Sequence, residues 1–116
     1  MTLQVYGITN CSTVKKARTW LEENGIDYIF HDYKKEPASI AQLEAWEKEV
    51  SWERLLNKKG TTWRKLSTEE QEAVINANSA NQVLTKNNSM IKRPLIESPK
   101  GIILGFDEAE YQEKLK

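Results

Sequence analysis

The stretch LQVYGITNCSTVKKARTWLEENGIDYIFHDY, residues 3–33, decides the fold. Leu3 to Gly7 is short, partly alternating and ends in glycine, which suits a strand running into a turn. Val14, Ala17, Trp20 and Leu21 then recur at the spacing of one helical face, and Gly25 stands where that helix should stop. From Asp27 to Tyr33, the residues Tyr28, Phe30 and Asp32 alternate with Ile29, His31 and Tyr33, with the aromatic and branched content of a strand. Strand, helix and strand in this order predict a β-α-β unit, its strands parallel and its crossover right-handed.

Beyond it, Glu36-Pro37-Ala38-Ser39 closes the unit, and Ser39 is placed to cap a helix with Ile40, Leu43, Trp46 and Val50 on one side. Ser67-Thr68-Glu69-Glu70 has the form of a capping box ahead of Ala73, Val74 and Ala77. Gly60 marks the loop between these helices, and a further short helix is expected over Asn81 to Thr85. Strand character returns in PLIE (residues 94–97) and IILG (residues 102–105), separated by Ser98-Pro99-Lys100-Gly101, a hairpin-turn composition. Asp107 and Glu110 are placed to cap a last helix through Leu115. The order β-α-β, helices, β-β-α predicts an α/β, thioredoxin-like sandwich with a mixed four-stranded sheet. Residues 1–116 are expected to form a single domain with a helical insertion over about residues 38–90, since no repeat, low-complexity tract or Gly/Pro-rich linker divides them.

Composition narrows the function. Seventeen Lys and Arg balance seventeen Asp and Glu, which removes the bulk electrostatic case for direct binding of nucleic acid or an anionic membrane. No basic segment followed by an apolar run opens the chain, and nowhere do about 18 apolar residues follow one another, so a cytoplasmic location is expected. The single cysteine cannot close an internal disulfide, and with one distant histidine it is a poor basis for zinc; neither a metal nor a bound cofactor is expected. A monomer is the default.

Cys11 falls where the first strand gives way to the helix. A thiolate there is stabilised by the helix dipole and free N–H groups, with Lys15 and Lys16 about one turn on adding positive potential; the alternative is an inert, buried thiol. The fourth residue of the motif is Val14, not a second cysteine, so any redox cycle must borrow its resolving thiol from outside. Arg93-Pro94 opens the third strand, which a thioredoxin-like fold sets beside the cysteine, and Arg93 can there offer a bidentate cationic fork to an oxyanion or carboxylate; the other role open to it is that of a surface arginine. KKGTTWRK, residues 58–65, is either a lid carrying Arg64 or a solvated loop with Trp63 packed beneath it, the latter being the usual fate of a charge run. Trp20, Trp46 and Trp52 read as core or groove-lining residues, and His31 as a structural residue within a strand.

Three stretches, YGITNCSTVKKARTWLEENGIDYIFHDYKK, LLNKKGTTWRKL and IKRPLIESPKGIILGF, resemble the arsenate reductase/Spx family, closest to its YffB-like branch. The resemblance spans nearly the whole chain. It implies a thioredoxin-like core with a helical insertion, a catalytic cysteine at Cys11, and Arg93 next to a cis-proline at Pro94. Glutaredoxin-linked arsenate reductases add further arginines that hold the arsenic oxyanion, and the matching places here are Asn57 and Phe106. A trianion thereby loses its principal clamps, which Arg64 could replace only in part.

The resulting expectation is a glutathione-dependent thiol reductase: Cys11 attacks an oxidised sulfur or another electrophilic substrate atom, and glutathione or a glutaredoxin-like donor resolves the adduct. Asn10 and the N–H groups of Ser12 and Thr13 would hold the incoming group, Arg93 would orient a carboxylate or oxyanion, and Lys15, Arg64 and Pro94 complete the expected binding residues. The alternative is an Spx-like regulator that binds RNA polymerase; Val14 removes the Cys-x-x-Cys switch such regulators use.

Overall fold

In the computed structural model, which describes residues 2–116, β1 (Leu3–Gly7) and β2 (Tyr28–Asp32) pair in parallel and are joined through α1 (Ser12–Glu23). Val14, Ala17, Trp20 and Leu21 are the buried residues of α1, as their spacing requires. The helix ends at a Schellman motif: Gly25 adopts φ 66°, its N–H bonds to the Glu22 carbonyl, and the Ile26 N–H reaches back to Leu21 at 2.9 Å. Glycine meets that left-handed backbone without a Cβ penalty.

The chain's last third completes the sheet. β3 (Leu95–Ser98) runs antiparallel to β1 and β4 (Gly101–Leu104) antiparallel to β3, giving the order β2-β1-β3-β4. This mixed four-stranded sheet is the expected thioredoxin-like arrangement. Each hairpin strand sits one residue off its sequence-based span, because the Ser98↔Gly101 pairing closes on a two-residue Pro99-Lys100 loop. α7 (Glu108–Leu115) follows, capped by Asp107, whose carboxylate accepts the Ala109 and Glu110 N–H groups; Glu110 instead pairs with Lys114 at 2.9 Å. Leu3, Val5, Ile96 and Ile103 pack with Ala17, Trp20 and Leu21 of α1 and Tyr111 of α7 into one core.

Strands β1 to β4 with α1 and α7 belong to one compact unit, which runs to Glu36 and resumes over Arg93–Lys116; Pro37–Lys92 forms a second. The second unit is helical: α2 (Ile40–Trp46), α3 (Trp52–Leu55), α4 (Thr61–Arg64), α5 (Thr68–Glu72) and α6 (Ala77–Lys86), then a 3-10 turn over Asn88–Met90. Ser39 caps α2 by accepting the Gln42 N–H, but that helix stops at Trp46 rather than continuing to Val50. The Ser67–Glu70 capping box forms, yet α5 ends before Val74. The apolar spacing continues through Ala77, but Asn76 and Ser79 make a second reciprocal cap that starts α6 four residues earlier than the expected Asn81. Gly60 is the cap of α4, so residues 58–65 are partly helical rather than a plain loop.

β1 also approaches the first turn of α1 closely. A Cβ at Gly7 would lie 2.9 Å from Val14 Cγ2, closer than packed carbon atoms approach. Gly7→Ala is therefore expected to lower unfolding free energy by about 1–3 kcal/mol in a urea titration, by forcing apart the strand and the first turn of α1. An unchanged midpoint would show that the approach is not constrained there.

Candidate active site

Cys11 is the N-cap residue of α1, its backbone extended at φ −113° and ψ 124°. Its carbonyl accepts the Lys15 N–H at 3.0 Å, so the first helical turn is closed directly behind the thiol. The sulfur is half-buried and makes no conventional side-chain capping bond. Burial by itself raises the thiol pKa. Against it act the Val14 N–H, the hydrogen bond and charge of the Arg93 guanidinium, and the Thr13 N–H, and together they hold the thiol below its ordinary range.

Arg93 reaches the thiol because of sheet register. Leu95 lies opposite Tyr6, so the residues just before β3 fall beyond the end of β1, where the chain leaves Gly7 for Cys11. The Arg93–Pro94 bond is cis, and the buried Pro94 accepts the Gly105 N–H at 2.9 Å. Asn10, Ser12 and Lys15 are exposed around the thiol-bearing turn, while Thr13 is half-buried. Arg64 lies in the other unit, exposed on α4, where Lys58 sits 5.5 Å from the Trp63 ring centroid. Trp46 is buried in that unit and Trp52 half-buried; Trp20 belongs to the core beneath α1.

His31 is occupied on both sides of its ring. Nε2 lies 2.6 Å from Gln4 Oε1 and Nδ1 3.1 Å from Glu36 Oε2, and the ring stacks on Tyr6 at 4.6 Å. Sequence reasoning missed the neighbours of this pair. Tyr6 donates its hydroxyl to Glu97 at 3.2 Å, and its ring lies 6.3 Å from that of Tyr33. Tyr33 is 3% exposed, and among the described residues its hydroxyl makes no hydrogen bond. Burial, then Tyr6 and Glu97, push this phenol well above its usual range, against the pull of Arg93; it is a neutral hydroxyl. The period-two alternation of DYIFHDY places His31 and Tyr33 on one face, and that was the available signal.

A thioredoxin-like sheet with one thiol at a helix start, an arginine beside it and a cis-proline at the next strand defines the class. Residues 6–114 match the ArsC family, and the chain belongs to it. Among solved structures, the YffB protein superposes with a TM-score of 0.93 at 39% identity, covering 99% of this chain and all of that one. An arsenate reductase related protein from Brucella melitensis, 46% identical, gives 0.78 and covers 100% of this chain and 96% of its own. The global transcriptional regulator Spx of Listeria innocua is 25% identical over 113 residues, 96% of this chain and 85% of Spx.

The depressed thiol makes stability depend on pH. An acid whose folded-state pKa is lowered adds stability above its unfolded pKa, and loses it as pH falls through the folded value. The stability of the wild type relative to Cys11→Ser should therefore rise with pH below the free-thiol value of about 8.5 in urea titrations and level off above it. A constant offset at all pH values would mean that the fold does not favour the thiolate.

Proposed function

We propose that this protein is a glutathione-dependent thiol reductase that works through a single cysteine. The observation that carries this is the joint action of the Val14 and Thr13 N–H groups and the Arg93 guanidinium on one half-exposed sulfur. Cys11 thiolate attacks the substrate sulfur of a mixed disulfide with glutathione. The S–S bond breaks, glutathione leaves as a thiolate and takes a proton from solvent, and Cys11 holds the substrate in a mixed disulfide. A glutathione thiolate then attacks the Cys11 sulfur, the substrate leaves as a thiolate that solvent protonates, and a further glutathione thiolate attacks the glutathione sulfur on Cys11, giving oxidised glutathione and the free Cys11 thiolate. Val14 is fully buried and carries no thiol, which supports resolution by an external donor. Arg93 orients a carboxylate of the incoming group, and the exposed N–H groups at the start of α1, with Asn10, receive its negative charge.

Arsenate fits this site less well. Phe106, where the family resemblance implies an arginine, packs edge-on against Tyr111 with centroids 5.0 Å apart. Asn57 spends its side-chain oxygen on the Lys59 N–H at 3.1 Å. Neither supplies charge to a trianion.

The similarity to Spx across nearly the whole chain supports a second function, a regulator that captures RNA polymerase without a redox switch. One assay separates them. Glutathione-coupled reduction of a glutathionylated substrate should be present in the wild type, abolished in Cys11→Ser and weakened by at least about tenfold in Arg93→Ala through loss of the charged contact. Absence of turnover, together with equal binding of polymerase by wild type and Cys11→Ser, would assign the protein to the regulators.

A further inference from the structure

Lys15, Thr19 and Glu23 follow Cys11 at intervals of four, so the thiol heads a ridge of side chains that winds slowly along α1. Beside this ridge opens a groove of about 410 Å³ whose floor is the edge of Trp20 and the half-exposed ring of Phe106. Tyr111, fully buried, holds both rings edge-on, at 5.3 Å from Trp20 and 5.0 Å from Phe106. The floor is therefore fixed before anything binds. Its rim is charged: Lys15 and Lys16 stand about one turn past the thiol, Glu23 at the far end of α1, and Glu108 at the start of α7. Among the described residues, none of these four side chains makes an ion pair.

From Lys15 to Glu23 the helix rises about 12 Å, the span of about four residues of extended chain. A compact disulfide would leave most of this length empty. We propose that the groove receives the peptide flanking an oxidised cysteine of a protein substrate, with an acidic residue near the sulfur, an apolar side chain over Trp20 and Phe106, and a basic residue at Glu23. This rests on the thiol-reductase function above and assigns it a substrate class. The charge order matches the rim, and the apolar position matches the floor. In the capture step Cys11 thiolate attacks the peptide sulfur, the S–S bond to the smaller thiol breaks, and that thiol leaves and is protonated by solvent. Cys11 then holds the peptide as a mixed disulfide, with no net oxidation or reduction.

Single-turnover capture by the full chain tests this, using mixed disulfides of 2-mercaptoethanol with peptides symmetric about the cysteine, so that chain direction does not matter. The probes are Arg-Leu-Glu-Cys-Glu-Leu-Arg, the same peptide with Ser for Leu, and the same peptide with Glu for Arg at both ends. The parent should be captured about tenfold faster than the Ser peptide, a ratio that Phe106→Ser removes. The parent should also outpace the Glu-ended peptide, and Glu23→Lys, at the exposed end of α1, should invert that order even if Phe106→Ser proves unstable. Equal rates for all three peptides, with Cys11 reacting normally, would overturn the groove assignment and leave the reductase standing. Failure of Cys11 to form an adduct with any of them, or with oxidised glutathione, would remove both.

Discussion

The pairing of Tyr6 with Leu95 is the contact on which the site depends. It is an ordinary antiparallel register, yet it alone fixes where the start of β3 meets the end of β1. Shifting it by one residue would turn Leu95 and Glu97 to the opposite face and carry Arg93 off the thiol. The same register puts Glu97 beside Tyr6 and so builds the hydrogen-bonded layer of Gln4, Tyr6, His31 and Glu97 on one face of the sheet, while Leu3, Val5, Ile96 and Ile103 fill the other. One face of the sheet thus carries the core and the other this polar layer, while the thiol and Arg93 meet beyond the end of β1.

The electrostatics follow from that placement. Burial of the Cys11 sulfur works against ionisation, and two backbone N–H groups with one guanidinium reverse it. Arg93 serves two neighbours at once, favouring the thiolate of Cys11 and opposing the upward pressure on Tyr33. Tyr33 remains neutral because burial, Tyr6 and Glu97 outweigh that pull. The Val14 N–H, then Arg93, then the Thr13 N–H favour the thiolate of Cys11, and Arg93 does so without ionising the phenol nearby.

Much of this was legible in the residues, for local reasons. The strand–helix–strand of residues 3–33 announces itself through two distinct periods, and Gly25 through the turn that only a glycine meets cheaply. Cys11 stands out because it is the one thiol and lies at a change of period. Arg93 was legible only through the fold, since its meeting with Cys11 is made by strand pairing rather than by sequence proximity. The middle was harder to read. Short helices of four and five residues leave too few turns for a period to show, and Asn76 interrupts an apolar pattern that otherwise looks continuous. Phe106 and Trp20 could be named as apolar, but not as a shared floor, because Tyr111, which joins them, lies in another helix.

The proposed function requires Cys11 to be an activated nucleophile, held so by the N–H groups at the start of α1 and by Arg93. The direct measurement is the pH dependence of Cys11 alkylation by iodoacetamide in the native protein, the unfolded protein and Arg93→Ala. The native midpoint should lie clearly below the free-thiol value of about 8.5 found on unfolding, with Arg93→Ala moving back toward it. A native midpoint at or above the unfolded one, unmoved by Arg93→Ala, would contradict the account.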